Sequence, residues 1–388
     1  MLDLTRLRAE TPACDQLIHF NNAGAALMPD PVYHALVGHL ESERRLGGYE
    51  AARLAAPQLA SFYTEFAALL GCDPSEIAYV ENATRGWDMA FYALPLREGD
   101  RILTHASEYA SNYLAFLQQA RRRGLHIDVI PSDATGQLDV AAMTALITPR
   151  TRLVAITHVP SQSGLVNPAE AVGEVARDHG LWYLLDACQS VGQIDVNVAR
   201  IGCHMLSGTG RKFLRGPRGT GFLYVSADIL DCLDPPFLDL HAATWTGPDS
   251  YEIAAGARRF ENWESNVAGK IGLARAVAYA RALGLPAIEA RTSTLAEVLR
   301  RELARVKGVS LHDLGARKSG IVTFRSDHEH PEAMHRRLGG LAMNCSVLPV
   351  TYAQLDLGAR GLPALIRASV HYYNTEEEVA RFVRAVAG

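Results

Sequence analysis

Between about residue 80 and residue 226 the chain alternates short apolar runs with stretches whose apolar positions recur every three or four residues. The runs at 101–105, 126–131, 152–159, 182–186, 204–207 and 221–225 read as strands. Among the stretches between them, 113–123 and 168–179 have helical spacing. Strand–helix–strand alternation of this kind predicts a mostly parallel α/β sheet. Beyond residue 286 the pattern changes. A long helix over 287–306 is followed by strands near 321–324 and 366–370 and helices over 331–341 and 376–386, which reads as a smaller α+β unit. The intervening 227–266, rich in Pro, Asp and aromatic residues, reads as loop and lid.

A length of 388 residues predicts two domains, or one large and one small. With 48% hydrophobic residues, 21% charged residues and a formal charge of −4, the composition is that of an ordinary globular protein. It lacks the basic surface that nucleic acid demands. The first twenty residues are interrupted by Asp3, Arg6, Arg8, Glu10 and Asp15, so they read as neither signal peptide nor membrane anchor. The six cysteines are scattered with no CxxC pair, which argues against a disulfide framework and a zinc site. The expected location is cytoplasmic, with no membrane and no nucleic acid as partner.

The basic residues are almost all arginine; the only lysines are Lys212, Lys270, Lys307 and Lys318. Arginine cannot replace a lysine whose amine must lose its proton and react, because guanidinium stays charged. Lys270, Lys307 and Lys318 read as solvated surface residues. Lys212 differs: it follows a predicted strand through Ser207-Gly208-Thr209-Gly210-Arg211. A nucleotide-binding loop fits this segment poorly, since Phe213 stands where a P-loop needs Ser or Thr and a dinucleotide loop needs its third glycine. Two other predicted strands end in polar groups, at Pro160-Ser161-Gln162-Ser163-Gly164 and at Asp186-Ala187-Cys188-Gln189-Ser190. Ligands of an open parallel sheet collect at such ends.

A reactive lysine, a carboxylate ending an apolar strand, clustered hydroxyls and a candidate helix N-terminus are what pyridoxal 5′-phosphate requires of a protein. Asp186 suits the ring nitrogen, or caps the following helix. Thr84, in Asn82-Ala83-Thr84-Arg85, is placed to cap a helix and hold phosphate there. Tyr109 can stack on a flat ring or pack against its neighbours. Arg367 interrupts an apolar strand, where an edge-strand salt bridge is the alternative to a ligand role.

Taken together, these segments resemble the class V aminotransferase and cysteine desulfurase family of pyridoxal-phosphate enzymes. The likeness runs from His19-Phe20-Asn21-Asn22-Ala23-Gly24 to Tyr372-Tyr373-Asn374-Thr375-Glu376, and is most specific at Asp186-Ala187-Cys188-Gln189-Ser190, Thr209-Gly210-Arg211-Lys212 and Arg367-Ala368-Ser369. It implies the aspartate aminotransferase-like fold of pyridoxal-phosphate-dependent transferases. A large domain over 18–270 would be joined by a small one made of 1–17 and 271–388. It implies that Lys212 carries the cofactor as a Schiff base, Asp186 pairs with the ring nitrogen, and Gln189 hydrogen-bonds the ring oxygen. Thr84, Thr209 and Arg211 would hold phosphate, with Ala83 and Arg85 beside them. Tyr109 stands where the family usually has a stacking histidine, and Ser161 near a place that often has asparagine. Arg367, with Asn22, would bind the carboxylate of a small amino-acid substrate. The resemblance also implies a homodimer with shared active sites, in which Ser265, beside Glu264, would reach the cofactor of the other subunit. No metal is implied.

Desulfurases carry a cysteine nucleophile on a loop before the carboxylate-binding arginine. Aligned through Leu341-Ala342-Met343, that place falls near Pro349, and Cys345 stands about four residues too early. His158-Val159-Pro160-Ser161, Trp263-Glu264 and Tyr372-Tyr373-Asn374-Thr375 look closest to a branch of sulfoxide lyases and isopenicillin N epimerase-like proteins. The expected reaction is therefore Cα deprotonation and β-elimination at a C–S bond. Transamination, epimerisation and, more remotely, non-catalytic cofactor binding are the alternatives.

Overall fold

The computed structural model describes residues 2–388. Its strands in chain order are β1 (Ile18–His19), β2 (Ile77–Val80), β3 (Arg101–His105), β4 (His126–Ile130), β5 (Thr151–Thr157), β6 (Trp182–Asp186), β7 (Met205–Thr209), β8 (Gly221–Val225), β9 (Ala243–Gly247), β10 (Ser250–Ile253), β11 (Val309–Leu311), β12 (Ile321–Ser326), β13 (Met343–Asn344), β14 (Ser346–Pro349) and β15 (Ala364–Ser369). Seven form the main sheet in the order β2-β8-β7-β6-β5-β3-β4, with only β8 antiparallel to its neighbours. Strands covered on both faces need continuous apolar runs. The runs of β6 and β7 are buried almost throughout, and helices Ala83–Ala93 and Ala169–Asp178 pack nearby. Parallel strands align their carboxyl ends, so Val80, His105, Thr157, Asp186 and Thr209 all open on one edge.

The smaller unit is an antiparallel sheet ordered β11-β12-β15-β14, covered by helices Leu285–Leu303, Pro331–Gly340 and Glu376–Ala387. Its core also takes Ile18 and Phe20, because β1 runs parallel to β13. The first residues of the expected large domain therefore pack with the small one. This brings Asn21 and Asn22 against β15, where Asn21 bridges to Ser369.

Two expectations need correction. Residues 227–266 are more than loop, since β9 and β10 form an antiparallel hairpin around Pro248-Asp249. The alternation Thr244-Trp245-Thr246 before that turn and Tyr251-Glu252-Ile253 after it was the available signal. Lys270 is not a surface lysine. It is 8% exposed, donates from Nζ to the Tyr63 hydroxyl at 2.6 Å and lies 3.8 Å from Glu261, its charge over the Tyr63 ring. Helical spacing in 267–283 placed it on a face that the fold covers.

Among the described residues no single helix is long and apolar enough to cross a membrane. The loop after Asp186 and the loop carrying Lys212 meet backbone to backbone at Gly192. Its φ is +96°, and a Cβ there would lie 2.4 Å from the Phe213 carbonyl carbon. We expect Gly192→Ala to destabilise the protein by roughly 2–4 kcal/mol, since backbone strain and overpacking add. Urea unfolding at neutral pH measures this, and a loss below about 0.5 kcal/mol would contradict it.

Candidate active site

At the carboxyl edge of the main sheet a cavity opens whose wall includes Asp186, Lys212, Asn112, Thr157, Thr84 and Tyr109. Lys212 follows β7 by three residues, in a turn closed by the Arg215 N–H bonding to the Lys212 carbonyl at 2.9 Å. Arg215 adopts a left-handed backbone (φ 60°). Its buried guanidinium donates to the Leu27 carbonyl, the Tyr372 hydroxyl and the Thr11 hydroxyl at 2.6–2.7 Å. The strained residue anchors the lysine turn to both ends of the chain.

Lys212 is 9% exposed. Burial lowers its pKa, while Cys188 and Asp186 oppose that shift and Arg211 and Arg367 add to it. The amine thus sheds its proton more readily than a surface lysine. Asp186, 4% exposed, is held at both oxygens: Oδ1 accepts from the Cys188 N–H at 2.9 Å and Oδ2 from Asn112 Nδ2 at 3.0 Å. It ends β6 and faces the cavity, so its side chain is not a helix cap.

Thr84 and Ala83 line the cavity from the first turn of helix Ala83–Ala93. The expected cap is displaced by two residues, because Asn82 accepts from the Arg85 N–H at 2.9 Å. Asn82 caps better than a threonine already inside the turn, and Thr84 is left facing the cavity. Arg85 is not brought to the cavity wall. Its guanidinium lies 4.6 Å over the Phe237 ring, in a separate surface cleft. Tyr109, Ser161, Gln189, Thr209 and Arg211 all line the cavity. Gln189 donates from Nε2 to the Ala23 carbonyl at 3.0 Å, leaving its buried Oε1 without a partner. Arg211 hydrogen-bonds the Gly24 carbonyl.

Arg367 sits on the interior strand β15, between Thr323 and Ser346, which removes the edge-strand salt bridge. It is 7% exposed and donates only to Asn21 Oδ1, at 3.3 Å, while its buried Nε has no partner. Burial first, then Arg211, lower its pKa to about 10, while Tyr109 and Cys345 work the other way. A buried guanidinium in that condition is short of one anion. Asn22 is not available for a substrate. Its amide donates to the Ser369 carbonyl at 2.7 Å and its oxygen accepts from the Tyr373 hydroxyl, so it ties the N-terminal segment to the small sheet. The neighbouring Asn21 faces Arg367 instead. Ser265 lies with Trp263 and Glu264 in a different cleft and does not reach Lys212 within one chain.

Asn112 and Glu108 were missed by the sequence reading. Only the tertiary contact with Asp186 marks them out, although Glu108 precedes Tyr109 directly and Asn112 follows it by three residues. Among the described residues no cluster of His, Cys, Asp and Glu could hold a metal. The residues present do suit a flat, anionic, aldehyde-bearing group. They offer a buried amine, a carboxylate, an orphaned buried amide oxygen and a helix start from which Thr84 lines the cavity.

The family model for Aminotransferase class-V matches residues 18–382. A probable cysteine desulfurase of Xylella fastidiosa is 32% identical over an alignment covering 99% of this chain and 95% of that protein. The apo structure of a cysteine desulfurase from Thermococcus onnurineus superposes with a TM-score of 0.93 at 27% identity, covering 100% of this chain and 98% of that one. A cystine C–S lyase in complex with cysteine persulfide has the same fold, with a TM-score of 0.87 at 24% identity over 97% and 99% of the two chains. The expected fold is therefore the observed one.

An unpaired buried charge weakens the empty protein. We expect Arg367→Met to raise unfolding stability by about 1 kcal/mol or more. Added amino acid should raise the melting temperature of the natural protein and not that of the variant. A destabilised variant would show that Arg367 is already compensated.

Proposed function

This chain belongs to the aminotransferase class-V family of pyridoxal 5′-phosphate-dependent enzymes, and from that premise we propose that it cleaves a carbon–sulfur bond in an S-substituted cysteine. Lys212 would hold the cofactor covalently, and Asp186 would pair with its ring nitrogen. Thr84, Thr209 and Arg211, at a helix start and a turn, would hold its phosphate, and Tyr109 would stack on its ring. When bound, pyridoxal 5′-phosphate supplies an electron sink that acidifies the substrate Cα–H bond. Asp186 keeps a proton at the ring nitrogen through opposite charge. Arg367 grips the substrate carboxylate, gaining the anion it lacks. Lys212 Nζ, a free amine once substrate has bound, takes the Cα proton. The Cβ–S bond then breaks, sulfur leaves with the bonding electrons and gains a proton, and water releases ammonia and pyruvate.

The carrying observation is the state of the thiols. A desulfurase needs a thiolate beside the substrate. Pro349 stands at that place, and Cys345 is 3% exposed in an apolar core where burial pushes its thiol up to about 12. Cys188 lines the cavity, but burial and the adjacent Asp186 raise its pKa too. No thiol is poised to take sulfur, so sulfur leaves on its own carbon group.

The exposed Tyr49, Trp245, Tyr251 and Trp263 support a homodimer in which Ser265 reaches the partner's cofactor. Six unpaired cysteines suit a reducing cytoplasm.

Purified holoenzyme should carry a visible absorption band that Lys212→Ala abolishes. It should convert an S-alkylcysteine to pyruvate, ammonia and thiol in equal amounts, with Cys345→Ser retaining the rate within about twofold. Alanine formed from cysteine, with sulfur trapped on Cys345 and activity lost in that variant, would establish a desulfurase instead.

A further inference from the structure

Beside Asp186 lies a second buried acid that the proposed reaction leaves unused. Glu108 is 5% exposed, in the turn between β3 and helix Ala110–Arg123. Its Oε1 accepts from the Tyr109 N–H at 2.8 Å, Asn112 Nδ2 at 2.8 Å and Thr157 Oγ1 at 2.5 Å. Its Oε2 faces Thr104 Oγ1 at 3.2 Å. Asn112 Nδ2 donates to Asp186 Oδ2 as well. One amide therefore divides its two hydrogens between two carboxyl groups, one on the cavity wall and one behind it.

We propose that Asn112 and Glu108 are positioning residues for Asp186, Asn112 by holding its carboxylate in place and Glu108 by setting the negative charge behind it. This rests on the reading of Lys212 and Asp186 as the cofactor site. Two buried carboxyl groups joined by one donor do not ionise independently. Burial first, and Asp186 with it, raise Glu108 to about 7, against the hydrogen bonds from Thr157, Asn112 and the Tyr109 N–H. The groups facing Glu108 leave Asp186 as its one charged neighbour. From β3 come Thr104 and His105, the latter bonded to Ser107 and Ser132 and lowered by burial to about 4, hence neutral. From β5 comes Thr157, from β6 Asp186, and from the helix start Asn112 and Tyr109. Lys212 acts on the Asp186 side. Below neutral pH Glu108 is uncharged, and above it adds a negative charge that favours every protonated nitrogen in the cavity.

The holoenzyme absorption band, followed against pH, reads this directly. Glu108→Gln keeps a neutral group of the same shape at all pH, so the midpoint of the band's pH-dependent change should fall by about half a pH unit or more. Thr157→Val removes a hydrogen bond to the charged form of Glu108, so it should move the midpoint the same way by less. This variant serves if Glu108→Gln does not fold. Asn112→Leu should weaken pyridoxal 5′-phosphate binding about tenfold by equilibrium dialysis. Midpoints unmoved in both Glu108→Gln and Thr157→Val, with cofactor affinity within twofold in Asn112→Leu, would overturn the proposal while the band persists. A natural protein without any band that Lys212→Ala removes would overturn the cofactor reading itself.

Discussion

The site depends on keeping an amine and a carboxylate together in a place almost closed to water. Burial alone favours the uncharged amine at Lys212, and a buried carboxylate such as Asp186 must have its oxygens met by donors. The fold answers with directed hydrogen bonds rather than solvent. The Cys188 N–H and the Asn112 amide each hold one oxygen of Asp186, while the lysine is left without a hydrogen-bonding side chain. The acid is thereby fixed and the amine stays free to react.

That asymmetry comes from the sheet. Parallel strands deliver their carboxyl ends to one edge, so residues as far apart as Thr84 and Thr209, 125 positions, line one cavity without long loops. Thr84, Tyr109, Thr157, Asp186 and Thr209 all arrive in this way. Lys212 needs more, since its turn carries a left-handed Arg215 held by Leu27, Thr11 and Tyr372. The small unit contributes one group, Arg367, from the interior of a sheet where a cation has no structural reason to be. Its missing anion is what the carboxylate of the proposed substrate would supply.

Several site residues were legible because the chemistry admits few residue types. Only a lysine could form the proposed bond, and only four lysines exist; of these, one follows a strand through a glycine-containing turn. Asp186 stood out as a charge at the end of an apolar run. Lys270 and Asn22 misled for the opposite reason. Both are polar residues with partners far away in sequence, Tyr63 for one, Ser369 and Tyr373 for the other. Whether a polar side chain serves a ligand or a structural hydrogen bond depends on those partners. Asn112 and Glu108 stayed hidden because neither residue type is unusual in an amphipathic helix start.

The amino-acid sequence by itself determined the strand–helix alternation, the positions of six of the seven main-sheet strands to within a few residues (β2 was not among them), and the choice of Lys212 and Asp186 as the candidate amine and acid. These follow from local periodicity and from chemistry that no other side chain performs. The tertiary structure alone decided that Asn21 rather than Asn22 faces Arg367, that Arg85 turns away onto Phe237, and that Asn112 joins two carboxyl groups. It also decided that Cys345 is sealed in an apolar core. Each of these depends on which distant group a side chain meets and on how much water remains around it, quantities that exist only once the chain has closed on itself.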